Sequence, residues 1–371
     1  MRKTSEHAAT WLTSEVWPLW LEHGVDWKNR AFHEYLDTQT LSCDASFRRL
    51  RVATRQVYSF ARAAELGMPR AQEAVALGLD FLGRYALQDN GGYSQRFDLA
   101  GKVIDPTQCL YDQAFTLLAF AITGRRRQAL SLIEFIESHF RHPENGYIES
   151  LGRRLQRRHD SHMHLLESCL MAAKRFGDSI YSDVAERIVR LFVTRFFQQP
   201  DGALPEIFDQ RLRPTRTGGR YAVEPGHHCE WAWLIALYSS AVEAPERLLE
   251  PLAEIGEALM RFTDRHGTSR ERGTIYDAVW NDGSTHMASS RLWPQTERLK
   301  AEALRRAATE RRVRHAYTAL AVHIDCAPPG LWREHLASDG SWKKEPAPAS
   351  SLYHLTCGIL EANAAIKANG W

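Results

Sequence analysis

Six times in 371 residues a polar or aromatic cluster leads into a small, apolar run of helical period. The six are "RQVYSFARAA" from Arg55, "LYDQAFTLLAFA" from Leu110, "HMHLLESCLMAA" from His162, "GHHCEWAWLIAL" from Gly226, "LWPQTERLKAEAL" from Leu292 and "YHLTCGILEANAA" from Tyr353. With Arg55, Tyr111, His164, His227, Trp293 and His354 as markers, the intervals are 56, 53, 63, 66 and 61 residues. One interval holds two helices and their loops, so the spacing predicts six helical pairs.

A second series of signals lies between the markers: "DNGGYSQRFD" from Asp89, "PENGYIESL" from Pro143, "PDGALPEIFD" from Pro200, "RGTIYDAVWNDGS" from Arg272 and "SDGSWKKE" from Ser338. Asn-Gly and Asp-Gly favour tight turns with positive φ, so these read as short hairpins or extended loops. Sustained period-2 strands are absent. The expectation is an all-α chain, a single (α/α)6-barrel domain over 1–371 with hairpins and loops at the active-site end. A linear solenoid of helix pairs is the competing architecture. It gives no reason for ionisable groups to recur at the same helical end in every repeat.

Net charge is +2, which supplies no global field to draw in nucleic acid or an anionic membrane. The basic run "RRAATERRVR" at 305–314 has Glu302 and Glu310 interleaved, the pattern of a solvated helix face. Cys43, Cys109, Cys169, Cys229, Cys326 and Cys357 are widely spread with no C-x-x-C pair, which fits a reducing compartment. Glu6, His7, Glu15 and Pro18 interrupt any signal-peptide core, and no apolar run approaches bilayer length. The expectation is a cytoplasmic protein, monomer or homodimer, without nucleic-acid or membrane partners.

His227 and Glu230 are spaced i,i+3 and share a helix face, so Glu230 is placed to fix the tautomer of His227. His228 points about 100° away and is expected to be secondary. His162, His164, His227 and His228 with Glu167 and Glu230 also invite a metal reading. None of the specific ligand orders accompanies them, and no metal or cofactor is expected. An isolated cluster of this kind is ordinarily two helix-terminus histidines satisfied by glutamates. In a barrel, however, His164, His227 and His354 come from three helices facing one cavity, with Arg55, Tyr111, Trp293 and Glu297. Histidines in a half-buried pocket suit proton abstraction next to a carbonyl, Arg55 suits an oxyanion, and Trp293 and Tyr111 offer faces for a sugar ring.

The motifs "LRVATRQVYSFA", "LYDQAF", "HMHLLES", "EPGHHCEWAWL", "LWPQTERLKA" and "SSLYHL" resemble, in order and over nearly the whole chain, the N-acylglucosamine 2-epimerase superfamily. The "EPGHHCEWAWL" and "LWPQTE" forms look most like its mannose isomerase branch. The resemblance implies the same barrel and an aldose–ketose isomerase interconverting D-mannose and D-fructose, with D-lyxose a further substrate. It implies acid–base roles for His227 and His354 with Glu230 beside the first. It also implies substrate contacts by Arg55, Tyr111, Asp160, His164, Trp293 and Glu297. Two positions depart from relatives: Asp160-Ser161 where Asn-Pro is common, and Gln113 where a His is common. The alternatives are a 2-epimerase using the same two histidines, a glycoside hydrolase using Glu224, Glu230 or Glu297, and a non-catalytic sugar-binding protein.

Overall fold

A computed structural model describes residues 2–153, 155–197, 202–241 and 246–370. Arg154, and Pro200 and Asp201 of the third turn signal, lie outside the described residues. Among the described residues, twelve helices of ten residues or more follow one another: α1 (Arg2–Trp11), α2 (Leu50–Glu65), α3 (Ala71–Phe81), α4 (Leu110–Ile122), α5 (Arg126–His139), α6 (Asp160–Phe176), α7 (Ser179–Leu191), α8 (Pro225–Ala241), α9 (Glu246–Phe262), α10 (Leu292–Leu304), α11 (Glu310–Ile324) and α12 (Ser351–Asn369). The even-numbered helices carry the six markers.

The two series differ in pattern. In α5 the buried side chains are Ala129, Leu132, Ile133, Phe135 and Ile136, one stripe at helical spacing with arginine and glutamate opposite. In α8 every residue from Pro225 to Ile235 is buried, which requires that its polar members find protein partners. The chain divides into two compact units. The first comprises Trp17–Leu191 with Pro348–Tyr353, and the second Met1–Val16, Phe192–Ala347 and His354–Trp371. Within the first, α2 packs on α3 and α4, α4 on α5 and α6, and α6 on α7. Within the second, α8 packs on α9 and α10, and α11 on α10 and α1.

The turn signals form hairpins closed by the bridges Leu87–Tyr93, Arg141–Tyr147, Thr268–Ile275 and Leu336–Trp342. Their glycines Gly91, Gly146, Gly273 and Gly340 sit at φ of 93°, 65°, 71° and 87°, where a side chain is strained. Short strands pair loops far apart in sequence, as Ala222–Val223 does with Ala278–Trp280.

A recurrent device fastens three of these hairpins, and the segment at Leu204, to the buried helix that follows each. Gln113 accepts from Tyr93 N at 3.0 Å and donates to Tyr93 O at 2.8 Å. Gln295 accepts from Ile275 N at 3.0 Å. At the matching position in the two intervening repeats stand histidines. His162 Nε2 accepts from Tyr147 N at 2.9 Å, and His228 Nε2 accepts from Leu204 N at 3.0 Å. Their Nδ1 atoms lie 3.1 Å from Arg158 O and 3.3 Å from Leu259 O. An imidazole that accepts at Nε2 and faces a carbonyl at Nδ1 is neutral, protonated on Nδ1. His162 and His228, two of the donors in the metal reading, are thus bonded within the protein at both ring nitrogens.

Candidate active site

Numbering each buried helix from its clamp position orders the remaining polar groups. One residue before the clamp stand His227 and, with Leu355 in the clamp position, His354; two residues after it stand Arg55, His164, Glu230 and Glu297. Two before it stand Tyr111, Asp160 and Trp293. At about 100° per residue these three positions share the helix side opposite the clamp. The repeat therefore separates groups that hold the fold from groups available for chemistry.

In the second unit two histidine–carboxylate pairs adjoin one tryptophan. His227 Nδ1 lies 2.9 Å from Glu206 Oε2, and the other Glu206 oxygen accepts from Glu224 N at 2.9 Å. The carboxylate on His227 Nδ1 is therefore Glu206, from the loop before α8, rather than Glu230. Glu206 reaches the ring from a loop 21 residues earlier in the chain, whereas Glu230 sits on the helix itself; both are buried. His354 Nδ1 lies 2.9 Å from Glu297 Oε1, and Glu297 Oε2 is ion-paired with Lys300 Nζ at 2.6 Å. Both Glu297 oxygens are thus engaged by protein and the residue is wholly buried, which suits an orienting carboxylate rather than the expected substrate contact. Burial pushes Glu297 up, but the Lys300 charge and then His354 outweigh it and hold the carboxyl below the usual range.

The Trp293 ring lies 5.0 Å from that of His227 and 5.9 Å from that of His354, centroid to centroid. Trp293 remains half-exposed. It reaches this place because residue 226 is glycine: a Cβ there would come within 2.7 Å of the Trp293 ring. Arg291 lies beneath, its Cζ 5.3 Å from the Trp293 ring, bonded to Glu224 at 2.7 Å and Asp277 at 2.8 Å. Glu206, Lys300, Arg291 and Asp277 are absent from the sequence reading, because none sits in a marker cluster at a position that distinguishes it from an ordinary surface charge.

In the first unit Arg55 donates to the Tyr111 hydroxyl, with its Cζ 4.3 Å from the Phe115 ring and 5.5 Å from that of Tyr353. Arginine planes are well suited to aromatic faces. The His164 ring lies 4.7 Å from Tyr111 and 4.6 Å from Phe115, and its Nδ1 is 3.6 Å from Glu167 Oε2. Burial lowers the His164 pKa, with Glu167 pulling the other way. Glu167 in turn accepts from the Tyr353 hydroxyl. Asp160 opens α6 with one oxygen on Ser161 N at 2.8 Å and the other on Arg158 at 3.1 Å. Gln113, the departure from a common histidine, is spent on its hairpin clamp.

Comparison with known proteins follows the same lines. The family model described as N-acylglucosamine 2-epimerase (GlcNAc 2-epimerase) matches residues 31–358. A mannose-6-phosphate isomerase of Rhizobium meliloti (strain 1021) is 34% identical over 388 residues, covering 97% of this chain and 96% of that protein. A D-mannose isomerase of Thermobifida fusca is 29% identical over 317 residues, covering 76% of this chain and 73% of that protein. The crystal structure of a D-mannose isomerase superposes with a TM-score of 0.86 at 18% identity over 98% of each chain. That likeness establishes the (α/α)6-barrel fold that the repeat spacing predicts.

Proposed function

Since the chain belongs to the N-acylglucosamine 2-epimerase family, whose sugar isomerases and epimerases it joins, we propose that it is a metal-independent aldose–ketose isomerase acting on D-mannose and D-fructose. The observation that carries this reading is the pair of carboxylate-oriented histidines adjoining one half-exposed tryptophan. Trp293 stacks the sugar. His227 assists ring opening and moves protons among the oxygens, with Glu206 holding its Nδ1 and Glu230 close along the helix. His354 takes the proton from C2 and returns it to C1 through a cis-enediolate, oriented by Glu297.

The decisive experiment is NMR of D-mannose in D2O with chelator-treated enzyme. Fructose carrying deuterium at C1 supports the isomerase. Glucose deuterated at C2 would establish the 2-epimerase instead, which needs the same two histidines, one on each face of the carbon. Activity restored only by added metal would end the metal-free mechanism. The Rhizobium relative's name makes mannose 6-phosphate the first alternative substrate to run beside the free sugar.

A further inference from the structure

A stacked sugar is presented by the plane of a ring, so whatever fixes the plane of Trp293 enters the proposed site without touching the reacting atoms. Arg291 is placed to do this. It stands two residues before Trp293, on the short strand Ser290–Arg291 that pairs with His335–Leu336 just ahead of α10. Its Nε donates to Asp277 Oδ1 at 2.8 Å, its Nη2 donates to Glu224 Oε2 at 2.7 Å, and its Cζ lies 5.3 Å from the Trp293 ring centroid. The two carboxylates come from different segments. Asp277 precedes the strand Ala278–Trp280, and its other oxygen accepts from Ser289 Oγ at 2.5 Å. Glu224 immediately precedes α8, three residues before His227. Burial lowers the Arg291 pKa, but the charges of Glu224 and Asp277 outweigh it and raise it, so the guanidinium is a permanent cation between two anions.

A guanidinium is a rigid planar fork, and bonds to two carboxylates from two segments leave it little freedom to turn. Its cationic centre lies within cation–π reach of the indole. On the α8 side, Gly226 leaves the hollow that the edge of the Trp293 ring fills. The tryptophan is thus set between α8 itself and a cation tied to the residue before α8, the helix that carries His227. We infer that Arg291 is a positioning residue, which with Glu224 and Asp277 fixes the plane of Trp293 relative to His227 and so sets how a stacked sugar meets that histidine. This rests on the reading of Trp293 as the stacking face. It gives a task to a cluster of three charges that no step of the proposed reaction uses.

The test joins steady-state kinetics on D-mannose to 19F NMR of the full-length protein labelled with 5-fluorotryptophan, the Trp293 signal assigned from Trp293→Phe. Arg291→Lys keeps the charge and loses the fork. It is expected to shift the Trp293 signal and to raise KM about tenfold, with kcat changed by no more than about twofold. In a Trp293→Ala background the same substitution should raise KM no further, because the path from Arg291 to the sugar is gone. A folded Arg291→Lys protein with an unmoved Trp293 signal overturns the inference, as does an unchanged KM or an equal loss in kcat and kcat/KM. If Arg291→Lys does not fold, Glu224→Gln, which leaves the guanidinium paired with Asp277, carries the same test. A smaller shift of that signal and a roughly threefold rise in KM are then expected, and an unmoved signal overturns the inference. If the native protein turns over no sugar while Arg291→Lys still moves the Trp293 signal, the isomerase reading fails and the hold of Arg291 on Trp293 stands.

Discussion

His162 and His228 show what a histidine can be at this kind of helix end: a residue doing the work that glutamine does at 113 and 295. His162→Gln is therefore expected to fold with little loss, while His162→Ala leaves Tyr147 N without its acceptor and costs roughly 1–3 kcal/mol in chemical denaturation. Burial, then the nearby Arg157 charge, pushes His162 from its ordinary 6.5 down to about 3. The folded state thus resists protonation that the unfolded chain accepts, so stability is full above about pH 6.5 and declines as pH falls towards 3. The melting temperature of the native protein should drop across that window, and less steeply in His162→Gln. By contrast, His354→Gln should cut turnover by about 10²–10⁴-fold with an unchanged melting temperature, the range typical of a lost general base. The sequence distinguished neither of these two roles by residue type alone. It located His227 and His354 through their recurrence, and it missed Glu206 because a loop glutamate 21 residues upstream has no periodic relation to the ring it orients.

Among elements, the helices were legible because burying one stripe or a whole surface imposes a 3.6-residue pattern, and the turns because Asn-Gly and Asp-Gly are needed where φ is positive. The two- and three-residue strands were not, since too few residues carry any alternation and their partners are tens of residues away, as with Ala222–Val223 and Ala278–Trp280. The mouth of α8 is the sharpest case of a sequence feature explained only by packing. Its Pro-Gly pair reads as a helix start, but Gly226 is also the seat of a tryptophan from α10. Gly226→Ala should displace Trp293 and raise KM by about tenfold, with a smaller effect on kcat, because a ring-stacking surface contributes mainly to binding. Steady-state kinetics separates that outcome from an equal loss in both constants, which would place the damage on the histidines.

For the molecule as a whole, the repeat interval predicted the fold that the superposition with a D-mannose isomerase shows. The basic run at 305–314 is largely spent on neighbours: Arg305 on Glu257 and Glu302, Arg306 on Glu250, Arg312 on Asp264 and Arg314 on Glu310. Among the described residues no helix is long and apolar enough to cross a membrane. None of the six cysteines is in a disulfide, and Cys169, Cys229 and Cys357 are buried while Cys326 is exposed. A thiol reagent should accordingly find one fast-reacting group in the native protein and all six after unfolding, with no change in melting temperature on adding reductant. The clamps and the chemical groups also differ in reach along the chain. The four clamps close over 20, 15, 24 and 20 residues, inside one repeat. His354 to Glu297 spans 57 residues and Arg55 to Tyr111 spans 56, from one repeat into the next. A single repeat thus carries the means of its own construction and can be inherited, varied or replaced as a module, while these longer pairings bind adjacent modules into one lineage that must change together.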